Sequence, residues 1–162
     1  MTDSQQPQQT QPRFQIEKLF VKDLSLEIPN APQIFTEQVQ PQLEVQIATE
    51  VAKFAEAFFE VTVSATVTAK SGERTVFLVE AVQAGIFSIS NVAPQELDPL
   101  LGIGCPTILF PYLRETISDL VTRGGFPPVL LSPVSFEALY MQRQQQQGAG
   151  EPQGGSQIEI AR

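Results

Sequence analysis

The strongest constraint on this chain lies between residues 59 and 69, where Phe59, Val61, Val63, Ala65, Val67 and Ala69 alternate without a break with Glu60, Thr62, Ser64, Thr66 and Thr68. A period of two puts one set on each side of a β-strand, so the segment predicts an antiparallel strand with one buried and one wet face. Ser71-Gly72 supplies a turn, and Thr75 to Ile89 the returning strand. That return strand differs in kind. Phe77, Val79, Ala81, Phe87 and Ile89 share one parity, while Val76, Leu78, Val82 and Ile86 share the other, with only Glu80 and Ser88 to make it polar. A strand apolar on both sides asks for cover on both: helices on one face, and another subunit or a ligand on the other.

Two further strands precede this hairpin. Phe14, Ile16, Phe20, Leu24 and Leu26 fall on one parity, interrupted by Lys18 and Lys22, with Leu19, Val21, Asp23, Ser25 and Glu27 opposite. Pro29 and Pro32 close that strand and open a loop carrying Ile34 and Phe35; a weaker alternation comes next in Leu43, Val45 and Ile47. Past Asn91 the pattern turns helical. Pro94, Pro99, Gly102, Gly104, Pro106 and Pro111 read as breaks, with Gly102-Ile103-Gly104 as plain loop. Thr107 then caps an amphipathic helix carrying Phe110, Leu113, Ile117, Leu120 and Val121, which Gly124-Gly125 stops. After Pro127-Pro128, Ser132-Pro133 predicts the start of a last short helix with Phe136, Leu139 and Tyr140 as its stripe. Four strands followed by two helices make the fold class α+β, a four-stranded antiparallel sheet with both helices packed on one face. Residues 1–13 and 145–162 are Gln-, Pro- and Gly-rich and read as disordered tails around a domain at 14–144.

Composition narrows the function. The 162 residues carry a net charge of -8, no histidine and one cysteine. An acidic surface is repelled by phosphate backbones and anionic lipid, so nucleic acid and membrane surfaces are poor partners. Without histidine the usual general base, the Ser–His and Cys–His pairs and the His-rich metal sites all fall away, and no metal or other cofactor is expected. Cys105 cannot close a disulfide within the chain, and its role is that of a small buried hydrophobe. Residues 1–13 lack the apolar stretch of a signal peptide, and no apolar run reaches the roughly 18 residues of a membrane helix, so a cytoplasmic protein without membrane insertion is expected. The expectation from composition is a protein that is not an enzyme.

Two sets of residues remain as candidates. Asp23, Glu27 and Glu80 fall on one sheet face with Leu78 among them; they are either solubilising charge or an acidic docking patch, and an acid–base pair would need a concave, water-excluding site. Phe35, Val39, Leu43, Val45, Phe136, Tyr140 and Met141 flank the proline loops; each is ordinary core, or together they line a groove for extended apolar segments. A small-ligand carrier and a carboxylate-only enzyme stay open as rivals.

Longer strings then become informative. Residues 22–32, KDLSLEIPNAP, and 85–89, GIFSI, are similar to the bacterial SecB protein-export chaperones, as are 104–115, GCPTILFPYLRE, and 133–139, PVSFEAL. The resemblance runs from about Phe14 to about Gln147. It implies a homotetramer built as a dimer of dimers, which binds unfolded preproteins without ATP and hands them to the SecA translocation motor. It implies that Asp23, Glu27, Leu78 and Glu80 receive the basic tail of SecA, with any zinc belonging to that partner. It also implies that Val79, Ala81 and Gln83 bear on tetramer assembly. The chain has no tryptophan, and Val39 stands where some relatives place one in the groove.

Overall fold

A computed structural model describes residues 11–148 and 158–161. Four long strands, β1 (Arg13–Glu27), β2 (Gln42–Ala55), β3 (Phe58–Ser71) and β4 (Arg74–Ser90), form an antiparallel sheet in the order β1-β4-β3-β2. A short strand β5 (Ile158–Ala161) is added antiparallel to the free edge of β2. The helical part is α1 (Pro94–Pro99), a π-helical turn at Leu100–Gly104, α2 (Cys105–Arg123) and α3 (Phe136–Gln147). The sheet followed by helices on one face is the expected α+β arrangement. The tail expected from 145 onward lies partly outside the described residues; of the rest, three residues extend α3 to Gln147 and four form β5. Residues 1–10 also lie outside the described part, and β1 begins at Arg13.

The alternation between 59 and 69 does what a period of two demands. Val61, Val63 and Val67 are fully buried on the inner face, and they pair with Gly85, Gln83 and Val79 of β4. Against them lie Cys105, Leu109, Leu113, Ile117 and Val121 of α2, spaced four residues apart on one helix face and all without exposed surface. Lengths matter here. At 1.5 Å per residue α2 extends about 28 Å, whereas the 17 residues of β4 extend about 56 Å. A helix of that length leaves part of the inner face bare, and the segment Pro128–Ser132 lies over Leu43, Val45 and Ile47 of β2.

Three single-residue irregularities change the parity read from sequence. In β1 the register slips at Glu17 and at Lys22. Each extra residue flips the side chains after it to the other side. Leu19 and Val21 consequently face inward, opposite Gly85 and Gln83, and Phe20 joins the outer face opposite Ala84; the second slip restores Leu24 and Leu26 to the inside. In β4 the slip falls at Val76, between Phe77 opposite Ala69 and Thr75 opposite Lys70. Val76 is fully buried, so the expectation that it lies on the outer face is corrected. Leu78, Val82 and Ile86 stay outside and half-buried.

The helical region departs furthest from expectation. The backbone stays helical from Pro94 to Arg123, through Pro99, Pro106 and Pro111. At the π turn the Cys105 N–H bonds to the carbonyl of Leu100, five residues back. That wider turn gives room ahead of Pro106, whose ring would otherwise press on the carbonyl four residues before it. Thr107 is no cap: its hydroxyl donates to the Ile103 carbonyl at 2.6 Å, inside the helix. Gly102 is more than loop, because a Cβ there would stand 2.7 Å from Cδ2 of Tyr140 on α3. The start of α3 also moves. Ser135, not Ser132, caps it, its hydroxyl oxygen accepting from the Ala138 N–H at 3.2 Å.

Candidate functional site: an acidic outer face and an apolar groove

On the outer face, pairing places Glu27 opposite Leu78, Ser25 opposite Glu80 and Asp23 opposite Val82. Residues opposite each other in an antiparallel pair share a face. Asp23, Glu27, Leu78 and Glu80 are therefore brought together as the sequence predicts, with Thr66 and Thr68 of β3 beyond them. The three acids are exposed and Leu78 is half-buried. From strand geometry Glu80 stands about 8 Å from Asp23 and from Glu27, which are themselves about 13 Å apart. Among the described residues the ion pairs are Lys22–Glu60, Lys53–Glu56, Arg74–Glu37 and Arg123–Asp119, none of which uses these three acids. Asp23 Oδ1 accepts from the adjacent Leu24 N–H, at 3.0 Å. Carboxylates so spaced and so wet are suited to meeting separate positive charges on a partner. They are too far apart to share a proton or hold a metal, and among the described residues no His/Cys/Asp/Glu group is arranged to hold one.

The inner face opens along β2. Two cavities of about 240 and 250 Å³ adjoin there, sharing Leu43, Pro128 and Val129. Val45, Ile47 and the segment Pro128–Ser132 complete the first; Val39, Pro41, Val76, Phe77, Phe126 and Pro127 complete the second. Together they form one apolar groove between β2 and the segment after α2. That segment leaves the helix at Gly125, whose φ of +90° suits a residue without a side chain. Phe126 then sits between Phe77 and Phe35, with ring centroids 4.9 and 5.1 Å away. Farther on, the Arg114 side chain donates to the Leu131 carbonyl at 3.1 Å and stacks 5.0 Å from the Phe110 ring. Val129 and Leu131 point in, while Leu130 is 64% exposed.

The seven residues expected to line a groove separate. Val39, Leu43 and Val45 line it, and Phe35 stands at its mouth on Phe126. Phe136 is core, packed edge-on against Phe110 at 5.7 Å. Tyr140 lies at the other end of β2, in a separate cavity of about 220 Å³ with Val51, Asp98 and Gly102. Its hydroxyl donates to Asp98 Oδ2 at 2.7 Å, and that bond, more than burial, raises its pKa. Met141 is 55% exposed and lines neither groove cavity. Sequence reasoning missed Phe126, Val129 and Leu131. The run Phe126-Pro127-Pro128-Val129-Leu130-Leu131 carried the signal, since two prolines hold a chain extended and leave alternate side chains free to turn inward.

Val79, Ala81 and Gln83 all face inward and are buried within the single subunit. They offer no free surface of their own. Gln83 Oε1 has no hydrogen-bond partner among the described residues. Cys105, in the first turn of α2, is buried against the sheet, and burial pushes its thiol up to about 12.

Residues 7–147 match the family described as "Preprotein translocase subunit SecB". The protein-export protein SecB of Chromobacterium violaceum is 59% identical over 140 residues, covering 86% of this chain and 93% of that protein. The SecB of Thiobacillus denitrificans is 54% identical over 155 residues, covering 94% and 99%. Among solved structures, the Mycobacterium tuberculosis Rv1957 SecB-like chaperone, in complex with a ChAD peptide from the Rv1956 HigA1 antitoxin, superposes with a TM-score of 0.60. It is 20% identical, and the match covers 76% of this chain and 88% of that one.

Proposed function

Since the chain belongs to the SecB family of preprotein translocase subunits, we propose that it is an ATP-independent export chaperone, which holds unfolded preproteins and delivers them to the SecA motor. The observation that carries this reading is the open apolar groove along β2, with Val39, Leu43 and Val45 on one wall and Phe126 and Val129 on the other. An unfolded client exposes apolar side chains and unpaired backbone together, and a groove beside a sheet edge meets both with little demand on sequence. That the solved relative of this fold is held in complex with a peptide is consistent with such a site. The chemistry is binding and no catalysis. Release comes from handover to a partner that competes for the client, which is why no nucleotide is required.

The outer face has the complementary task. Asp23, Glu27, Leu78 and Glu80 address SecA through its basic, zinc-bearing tail, so the metal is the partner's. Assembly rests on β1, where Phe14, Ile16, Val21 and Leu24 are each 38–44% exposed in one subunit. An uncovered apolar strand of that length suits a second copy, and a dimer of dimers gives several grooves that bind successive segments of one client. Val79, Ala81 and Gln83 bear on assembly from beneath, by setting how α2 sits on the sheet. The place of action is the cytoplasm; among the described residues no helix is long and apolar enough to cross a membrane.

The test uses the purified chain without ATP. It runs as a tetramer by light scattering and slows aggregation of a chemically unfolded client at near-stoichiometric ratio. A monomer that leaves client aggregation untouched ends the proposal. Glu27→Lys weakens SecA docking while client holding persists, and high salt does the same to the unaltered chain, because the screening length of exposed charges falls from about 8–10 Å at moderate salt to about 3 Å at 1 M. Equal loss of both functions in Glu27→Lys would make the patch structural.

A further inference from the structure

The free edge of β2 is the rim of the groove, and the chain itself occupies part of it. Strand β5 pairs there with Glu44 opposite Ala161, Val45 opposite Ile160, Gln46 opposite Glu159 and Ile47 opposite Ile158. Val45 and Ile47 are the residues that line the first cavity with Leu43. Four residues of this chain therefore take the backbone donors and acceptors of β2 at the place where the groove is open. The remainder of that strand, Gln42, Leu43 and Ala48–Ala55, is left unpaired by β5.

The sequence fits this use. Between α3 and β5 lie Gly148–Gln157, ten residues of which four are glycine, a stretch without a large apolar side chain. Ile158-Glu159-Ile160 then alternates apolar and polar, the pattern of a strand. Ten residues reach at most about 33–36 Å, enough to return from the end of α3 to β2.

We propose that Ile158–Ala161 is a built-in competitor for the strand-accepting edge of β2, which holds Glu44–Ile47 until an extended client segment displaces it. The inference rests on the groove being the client site. A tether of this kind gives the strand an effective concentration in the millimolar range, so even a four-residue pairing is populated. A competitor lowers apparent client affinity in proportion to the time the edge is open. Four backbone pairs are easily displaced by a longer client strand and withstand a short or folded one. The device therefore favours long unfolded segments. It also covers the four residues of the edge beside the groove, which would otherwise be open to any strand they met.

The experiment compares the full chain with the same chain carrying Ile158→Pro and Ile160→Pro, since proline cannot donate to a ladder. The first readout is amide hydrogen exchange at Glu44–Ile47 without client, which rises in the double variant. The second is affinity for fluorescein-labelled, reduced and carboxymethylated α-lactalbumin, which tightens about threefold to tenfold. A synthetic peptide of residues 155–162 added to the double variant restores the weaker affinity. Unchanged exchange means β5 does not hold the edge, and the inference fails. Faster exchange with unchanged affinity means the strand covers β2 without competing, which also overturns it. If neither chain binds the unfolded probe, the chaperone reading itself fails and the competition with it, while the exchange result still reports whether the strand pairs.

Discussion

The two faces of the sheet are built from the same strands yet answer to different demands. On the inner face Val61, Val63, Val67 and Val79 have no exposed surface and meet α2. On the outer face their immediate neighbours Glu60, Ser64, Thr66, Thr68 and Glu80 remain in whole or part accessible. Neighbours in sequence thus differ by the full cost of burial. The inner set is fixed by shape, because each side chain fills space that no neighbour can fill. The outer set is fixed only by the partner or solvent that the face has to meet.

That contrast breaks first at Phe87, which is fully buried beside Phe14, their ring centroids 5.7 Å apart. Phe87→Ala removes a ring from a packed interior and costs about 3–5 kcal/mol of unfolding free energy in denaturant titration. A loss below 1 kcal/mol would mean that the inner face is loosely packed. Gln83 is the exception inside: a polar side chain, 3% exposed, whose Oε1 is unpartnered among the described residues. Gln83→Met keeps the volume and removes the orphaned group, and gains about 1–2 kcal/mol by the same measurement. Destabilisation instead would show that the amide finds a partner in the assembled protein.

The third expectation is set by pH. The Cys105 thiol is raised from 9.0 to about 12 by burial. In the unfolded chain it ionises near 9.0, so folding keeps the proton on. This contribution to stability is whole below pH 9.0 and is lost as pH rises toward 12. At pH 8 an alkylating reagent labels the unfolded chain and leaves the native one largely unmodified. Rapid native labelling would show that α2 lifts readily from the sheet.

The same contrast explains why some features were legible in the sequence and others were not. A face that must be dry writes a period, so the β3–β4 hairpin and the four-residue spacing of α2 could be read directly. So could the acidic patch, because Asp23, Glu27 and Glu80 lie where pairing keeps the outer parity. A bulge leaves no such trace. Glu17, Lys22 and Val76 are single residues in otherwise ordinary runs, yet the first decides which way Leu19, Phe20 and Val21 point, the second returns Leu24 and Leu26 to the inside, and the third is itself turned inward. Prolines misled in the helical region because Pro106 is accommodated by a π turn, a local remedy no propensity encodes. The groove was half legible for a related reason. Phe136 and Tyr140 share a helix stripe, but one end of that stripe meets Phe110 and the other meets Gly102. Residues 126–131 form a wall because they lie over β2, where α2, packed on β3 and β4, does not reach.

The smallest effect on stability belongs to the outer face, and it sharpens the comparison most. Glu80 is exposed, opposite Ser25 on one side and Thr66 on the other, and forms no ion pair among the described residues. Glu80→Lys therefore breaks no packing and leaves no buried group unpaired. It places a positive charge about 8 Å from Asp23 and Glu27, where repulsion between carboxylates becomes weak attraction, already screened at physiological salt. The unfolding free energy changes by less than about 0.5 kcal/mol. Docking of a basic partner responds far more, because a complementary charge has become a repulsive one and the Leu78 contact sits beside it. A stability loss of about 2 kcal/mol or more in Glu80→Lys would mean that the outer face is held as tightly as the inner one, and the contrast between them would not stand.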